Sequence, residues 1–68
     1  MYFPRIRDMR EDADLTQAQI AQILGIAQTV YSRYERGYQT IPLELLIRLA
    51  DYYHVSIDYL VGRSSSMQ

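Results

Sequence analysis

Four polar side chains on one side of a short predicted helix have the chemistry to hydrogen-bond to nucleic-acid bases. They are Gln28, Thr29, Ser32 and Arg33, whose spacings of three and four residues place them on a common helix face. A glutamine amide can pair with adenine N6 and N7, an arginine guanidinium with guanine O6 and N7, and a threonine methyl with the thymine methyl. Such a face is chemically able to contact base edges, and a solvated polar face that meets only water is the alternative.

Enzymatic chemistry has one weak candidate site in this sequence. Asp51 and His54 are three residues apart on a predicted helix and would form a carboxylate and imidazole pair. A single histidine near a helix end more commonly lies at the surface or caps the helix, and no nucleophile motif, metal triad or glycine-rich phosphate loop accompanies it. We therefore predict no catalytic residue, no metal site, no cofactor and no enzymatic activity.

Length and composition limit the protein to one small domain. A chain of 68 residues buries only ~60% of the surface that its unfolded form exposes, so a large substrate cavity is not expected. No run approaches the ~20 apolar residues of a membrane helix, and the first residues lack the apolar core of a signal peptide, so we expect no membrane association and a cytoplasmic location. The net charge of -1 argues against a generic polyanion binder, so any contact with DNA must be local.

The spacing of prolines, glycines and apolar residues predicts five helices and no strand. The predicted segments are Pro4–Ala13, a helix from the Thr16 cap to Gly25, Gln28–Arg36, a helix that opens at Ile41-Pro42 and runs to Tyr53, and Ile57–Val61. Thr16 and Gln19 fit a capping box at the start of the second helix, and Gly25 and Gly37 fit the left-handed positions that end the second and third. The fourth helix carries apolar residues widely enough to be buried on most of its surface.

The second and third predicted helices are short and are joined by a turn that starts with a glycine, as in a helix-turn-helix. Three segments make the similarity specific: Leu15-Thr16-Gln17-Ala18-Gln19-Ile20-Ala21-Gln22-Ile23-Leu24-Gly25-Ile26, Ser32-Arg33-Tyr34-Glu35-Arg36-Gly37 and Val55-Ser56-Ile57-Asp58-Tyr59-Leu60. Over nearly its whole length the chain resembles the Cro/repressor, or XRE, family of helix-turn-helix domains.

The resemblance implies an all-α fold, a compact five-helix lambda-repressor-like DNA-binding domain with its helix-turn-helix formed by helices 2 and 3. The domain would comprise residues 1–62, followed by a flexible polar tail at 63–68. The implied function is sequence-specific binding of double-stranded DNA by a transcriptional regulator of the repressor type. Its third helix, Gln28–Arg36, would read the major groove.

The resemblance also implies a role for individual residues. Gln28, Thr29, Ser32 and Arg33 would contact bases, with a phosphate contact as the alternative for Arg33. The DNA backbone would be contacted by Thr16, Gln17, Arg36, Tyr38, Gln39 and Thr40. The start of the second helix suits a phosphate because its free amides and dipole are positive. A helix cap that never meets DNA is the alternative for Thr16 and Gln17.

Two further positions bear on stability. Arg10 and Glu35 match a pair that joins the first helix to the end of the third in many family members, and two exposed side chains of little energetic value are the alternative. Ala27 stands where the family usually has Ser or Thr as the N-cap of the third helix, which predicts a loss of ~1 kcal/mol. We expect that helix to fray when DNA is absent.

One small reader covers only a few base pairs, so the resemblance implies a homodimer on a pseudo-palindromic operator with half-sites ~34 Å apart. The dimer contacts would come from Leu43, Ile57, Tyr59 or Val61, unless these are core residues. The competing hypothesis is a protein-interaction module that keeps the fold without binding DNA, which the net charge of -1 would suit. The polar character of the third helix argues for DNA.

Overall fold

The computed structural model describes residues 1–67, and these fold into five helices without a strand. The helices are α1 (Pro4–Asp12), α2 (Gln17–Leu24), α3 (Gln28–Glu35), α4 (Leu43–Tyr53) and α5 (Ile57–Leu60). Helix α2 packs against α3 and α4, α1 packs against α3 and α5, and α4 packs against α5. The predicted all-α, five-helix class is confirmed.

Helix α2 begins and ends as its sequence predicts. Thr16 Oγ1 accepts a hydrogen bond from the Gln19 backbone amide at 3.1 Å, and Gln19 Oε1 accepts one from the Thr16 amide at 2.8 Å. This reciprocal capping box satisfies two amides that have no partner inside the helix. At the other end Gly25 has φ +73°, a left-handed conformation that costs a glycine little. The capping box and the glycine stop are confirmed.

Helix α3 ends at Glu35, one residue before the predicted end, and Arg36 is its C-cap. Gly37 follows with φ +78°, and a Cβ built on it would lie 3.0 Å from Tyr2 Cβ. Both the backbone conformation and the close approach of Tyr2 therefore favour glycine at this position. At the start of α3, Ala27 has the extended backbone of an N-cap but supplies no side-chain hydrogen bond, as predicted.

Replacing Ala27 with serine is expected to stabilise the protein. Ala27 already has φ -69° and ψ 145°, so a serine hydroxyl at this position could accept a hydrogen bond from a backbone amide of the first turn of α3 without a backbone change. The gain should be about 1 kcal/mol, which raises Tm by roughly 4–8 °C in a domain of this size. Thermal unfolding followed by circular dichroism measures it. The matched control is Ala18→Ser, an exposed position inside α2 where no cap is needed; equal melting temperatures for the two variants would contradict the prediction.

The core draws buried side chains from every helix. Its fully buried residues are Ile6, Ile20, Tyr31, Leu49 and Leu60, one from each of the five helices. Around them lie the other buried apolar residues Ala21, Leu24, Ile41, Leu46 and Ala50. Burial of this apolar surface is the main force that holds the helices together.

Helix α4 is less buried than its sequence predicts. Leu46, Leu49 and Ala50 face the core, but Leu43 is 62% and Ile47 42% exposed. The prediction that most of its surface is buried is wrong, because the neighbouring helices cover only one side of α4. None of the helices within residues 1–67 combines the length and apolar character needed to cross a membrane.

Residues 63–67 are attached to the rest of the fold by hydrogen bonds. The Arg63 amide donates to Asp58 O at 2.8 Å, and the Ser56 amide donates to Met67 O at 2.7 Å. The Arg5 guanidinium donates to Tyr59 O at 2.9 Å and also to Ser64 O. The domain limits of 1–62 and the flexibility of residues 63–68 stay predictions, and Gln68 lies outside the described residues.

Candidate nucleic-acid interface

The turn between α2 and α3 is held on both sides. Gly25 provides the left-handed backbone, and the Ile26 amide returns to Ala21 O at 3.0 Å. From α4, Arg48 donates to Leu24 O at 2.8 Å and to Ile23 O at 3.0 Å. The last carbonyls of a helix have no amide partner within the helix, so Arg48 supplies donors for these two. A guanidinium at a helix C-terminus is also electrostatically favourable. The angle at which α3 leaves α2 is therefore fixed from α4 as well as from the turn.

Helix α3 divides into a buried side and an exposed side. Tyr31 and Glu35 are buried, whereas Gln28, Thr29 and Arg33 are exposed and Ser32 is half-buried. Within residues 1–67 the side chains of these four polar residues make no hydrogen bond. Their donors and acceptors are consequently available to an external partner.

The four predicted base-contact residues line one open groove. It has a volume of about 380 Å³, and its walls are completed by Gln17, Arg36 and Tyr38. The groove thus brings together, on one surface, all of the predicted base contacts and three of the predicted phosphate contacts. Amide, hydroxyl and guanidinium groups on a rigid helix suit the donor and acceptor pattern of a base-pair edge.

The other three predicted phosphate contacts do not line this groove. The Thr16 hydroxyl is engaged in the capping box, and Thr40 Oγ1 accepts a hydrogen bond from the Met1 amino nitrogen at 2.7 Å. Gln39 is exposed in the loop after α3. The DNA-contact roles of the sequence-predicted residues stay predictions.

A buried ion pair fixes α3 on the rest of the molecule. Arg10 Nε lies 2.6 Å and Arg10 Nη2 3.3 Å from the two carboxylate oxygens of Glu35, which is only 4% exposed. Arg10 Nη1 also donates to Leu15 O at 2.8 Å, and Gln17 Nε2 donates to Glu35 Oε1 at 3.2 Å. The Glu35 carboxylate therefore joins α1, the start of α2 and the end of α3.

These hydrogen bonds determine the protonation of the cluster. Burial by itself would raise the pKa of Glu35, but the hydrogen bonds from Arg10 and Gln17, the nearby Tyr31 hydroxyl and the charge of Arg10 outweigh it and hold the pKa below its ordinary value. The hydrogen bond to Glu35 in turn raises the pKa of Arg10. The pair is thus ionised at neutral pH.

Two buried tyrosine hydroxyls have no hydrogen-bond partner of standard geometry within residues 1–67, those of Tyr31 and Tyr53. Tyr31 nevertheless faces the Glu35 carboxylate closely enough that burial, together with this negative charge, raises the pKa of the tyrosine. Burial likewise raises the pKa of Tyr53 to about 12. Both tyrosines therefore stay neutral and serve the core.

Arg36 and Tyr38 form a pair at the rim of the groove that sequence reasoning did not find as a pair. The Arg36 guanidinium carbon lies 4.7 Å from the centre of the Tyr38 ring, and Arg36 Nη2 donates to Tyr38 Oη at 3.2 Å. Stacking of this kind restricts the guanidinium while its remaining donors stay free. The sequence does not indicate this pair, because the contact between the two side chains depends on the backbone conformation of Gly37, which lies between them.

The alternative enzymatic site shows no supporting geometry. His54 is exposed with φ +59° as the C-cap of α4, and its backbone amide donates to Asp51 O at 3.4 Å. The pair therefore shapes the end of the helix. Among residues 1–67, no group of three or more His, Cys, Asp or Glu side chains is arranged to hold a metal ion.

Comparison with known proteins places this chain in a family. The helix-turn-helix family model matches residues 6–60, which include every helix except the first two residues of α1. The uncharacterized HTH-type transcriptional regulator YobD of Bacillus subtilis is 42% identical over 62 residues, 91% of this chain and 55% of that protein. The cryptic phage CTXphi transcriptional repressor RstR of Vibrio cholerae is 38% identical over 66 residues, 97% of this chain and 60% of that protein.

A third relative, the HTH-type transcriptional regulator ImmR of Bacillus subtilis, is 37% identical over 59 residues, 87% of this chain and 46% of that protein. The chain thus spans about half of the length of the curated relatives that it matches. The family that its residues predicted is confirmed: the chain belongs to the helix-turn-helix family of the Cro/repressor, or XRE, type.

Proposed function

We propose that this protein is a sequence-specific, double-stranded-DNA-binding transcriptional regulator of the repressor type, acting in the cytoplasm and without enzymatic activity. The observation that carries the proposal is the groove along α3, where the four predicted base-contact side chains and three of the predicted phosphate-contact side chains lie on one surface. The similarity to helix-turn-helix transcriptional regulators, one of them a phage repressor, supports it. The polar and charged residues that line the groove disfavour the alternative of a protein-interaction module.

The two kinds of contact have separate tasks in this proposal. Gln28, Thr29, Ser32 and Arg33 enter the major groove and discriminate base pairs. Phosphate contacts fix the position of α3 without reading sequence. They come from Thr16, Gln17, Arg36, Tyr38, Gln39 and Thr40. Gln17 lines the groove beside the predicted base contacts, and its Nε2 donates to Glu35, which holds this side chain in position.

Selection of bound sequences from randomised duplex DNA, at low and moderate salt, tests this function. The parent protein is expected to enrich one sequence motif arranged as an inverted repeat. Gln22→Ala, an exposed position of α2 outside the groove, is the control and should enrich the same motif. Absence of enrichment by the parent at both salt concentrations would reject sequence-specific binding and favour the protein-interaction module.

We propose further that the protein binds as a homodimer to a pseudo-palindromic operator. Of the four predicted dimer contacts, Leu43 is exposed, whereas Ile57, Tyr59 and Val61 are half-buried. Ile57 and Val61 pack against the core, and the Arg5 guanidinium covers the Tyr59 ring at 4.2 Å. Exposed Leu43 therefore remains the best placed of the four to contact a second copy.

Sedimentation velocity on a selected duplex should show two chains per DNA. The half-sites of the selected inverted repeat should lie about 34 Å apart. Leu43→Ser should reduce this to one chain per duplex at the same protein concentration, because it removes exposed apolar surface from the proposed contact. Glu44→Ser, at the neighbouring exposed position, serves as the control. A single chain per duplex for the parent would contradict the dimer.

A further inference from the structure

We propose that α1 takes part in the interface, and that Arg7 and Arg36 bind a phosphate of the DNA backbone in a second pocket beside the groove. This pocket has a volume of about 510 Å³ and lies between α1 and the loop after α3. Arg7 was not among the residues predicted from the sequence. The inference rests on the proposed function, which it extends by one contact to the DNA backbone.

The second pocket is continuous with the groove along α3. Gln17, Arg36 and Tyr38 line both. When a helix reads base edges in the major groove, the sugar-phosphate backbone passes at the border of that groove. The residues shared by the two cavities lie at this border. With DNA bound along α3, a backbone phosphate would therefore lie beside the second pocket.

The charges of the second pocket favour an anion. Arg7, Arg10 and Arg36 line it together with one acid, Glu35. The Glu35 charge is compensated by Arg10 in the buried ion pair, which leaves Arg7 and Arg36 to supply the positive charge. The side chain of Arg7 is 59% exposed, and its only ion pair within residues 1–67 is with Glu11 at 3.4 Å. Exposed pairs of this type contribute little, so a phosphate can compete for Arg7.

Two exposed tyrosines, Tyr2 and Tyr38, line this pocket beside Arg36. Tyr2 lies close to Gly37: a Cβ built on Gly37 would be 3.0 Å from Tyr2 Cβ. Tyr38 holds the Arg36 guanidinium by stacking and by a hydrogen bond. Arg36 is therefore already positioned by Tyr38 at the edge of the pocket. Guanidinium donors suit phosphate oxygens because they can bind two of them at once.

The test compares two variants that lose the same charge, Arg7→Gln and Arg63→Gln, with the parent. Arg63 is exposed after α5 and lines neither cavity. Binding to a duplex selected by the parent is measured at several salt concentrations between 50 and 200 mM. Loss of one phosphate contact should make the dependence of log K on log salt shallower by about 0.9 for Arg7→Gln, with weaker binding at low salt. Arg63→Gln should retain the parent's slope.

The outcomes separate this inference from the proposed function. An unchanged selected motif with a shallower slope for Arg7→Gln alone supports a backbone contact. Equal slopes for the two variants, while the parent still selects its motif, would overturn the role of Arg7 and leave the proposed function standing. A changed motif in Arg7→Gln would indicate base reading and also reject the inference. If the parent binds no duplex at any salt concentration, both proposals fail.

Discussion

Replacing Arg10 with methionine is expected to destabilise this protein by about 3–5 kcal/mol, because the Glu35 carboxylate would be left buried without its compensating charge. Small domains have only ~5–15 kcal/mol of stability in total, so much of the folded population would be lost near physiological temperature. At roughly 4–8 °C per kcal/mol, Tm should fall by at least about 12 °C. Thermal unfolding followed by circular dichroism measures this change.

The matched control is Arg7→Met, which removes an arginine from the same helix. The partner of Arg7 is the exposed Glu11, so this variant should melt close to the parent. Glu35→Ala should also be strongly destabilised, since it leaves Arg10 and Gln17 without their shared acceptor. A Glu35→Ala melt that matched the parent would mean that the pair has no structural value.

The dependence on pH supplies a second signature of the pair. In the parent the pKa of Glu35 is held below its ordinary value of 4.5, so the stabilisation is present above that value and is lost as the pH falls through the lowered pKa. In Arg10→Met, burial would dominate and raise the pKa of Glu35. The variant should therefore gain stability on acidification from pH 7 towards 5, whereas the parent should not.

The double variant Gln28→Ala, Arg33→Ala is expected to lose much of its specific DNA binding without losing stability. Each good base contact contributes ~1–3 kcal/mol of discrimination, so removal of two should weaken binding to the selected duplex by about 30-fold or more. Within residues 1–67 neither side chain makes an internal hydrogen bond, and both are exposed. The melting temperature should therefore stay near that of the parent.

Measured affinity for the selected duplex and for a scrambled one checks this prediction. The double variant should still bind both duplexes, because its phosphate contacts are retained, but its preference for the selected duplex should be strongly reduced. Gln22→Ala provides the control for loss of a glutamine from the helix-turn-helix. Undiminished preference of the double variant for the selected duplex would show that α3 does not read sequence through these residues.

The helix ends could be predicted to within a residue or two because their signals are local. The hydroxyl and amide of the capping box at Thr16 and Gln19 lie three residues apart, and Gly25 and Gly37 mark the left-handed stops directly. Burial along α4 could not be predicted as well. Leu43 and Ile47 have the apolar character of core residues, and only the arrangement of the neighbouring helices leaves them exposed.

The candidate site divides in the same way. The common face of the four polar residues on α3 follows from helical spacing, so it could be predicted from the sequence. The contacts that position α3 are different in kind. Arg48 reaches the end of α2 across 24 residues, and Gln17 meets Glu35 across 18. No local pattern encodes such meetings, because they depend on how distant helices pack.

The division of α3 into a packed side and an exposed side also has an evolutionary consequence. Tyr31 and Glu35 hold the helix on the domain, whereas the side chains of Gln28, Thr29 and Arg33 make no hydrogen bond within the described part of the chain. Substitutions at the exposed positions are thus nearly neutral for folding. With α3 in the proposed role, a lineage of such proteins could exchange one operator for another by a few codon changes, with no loss of stability to be compensated elsewhere. Recognition can diversify rapidly while the scaffold stays under constant selection.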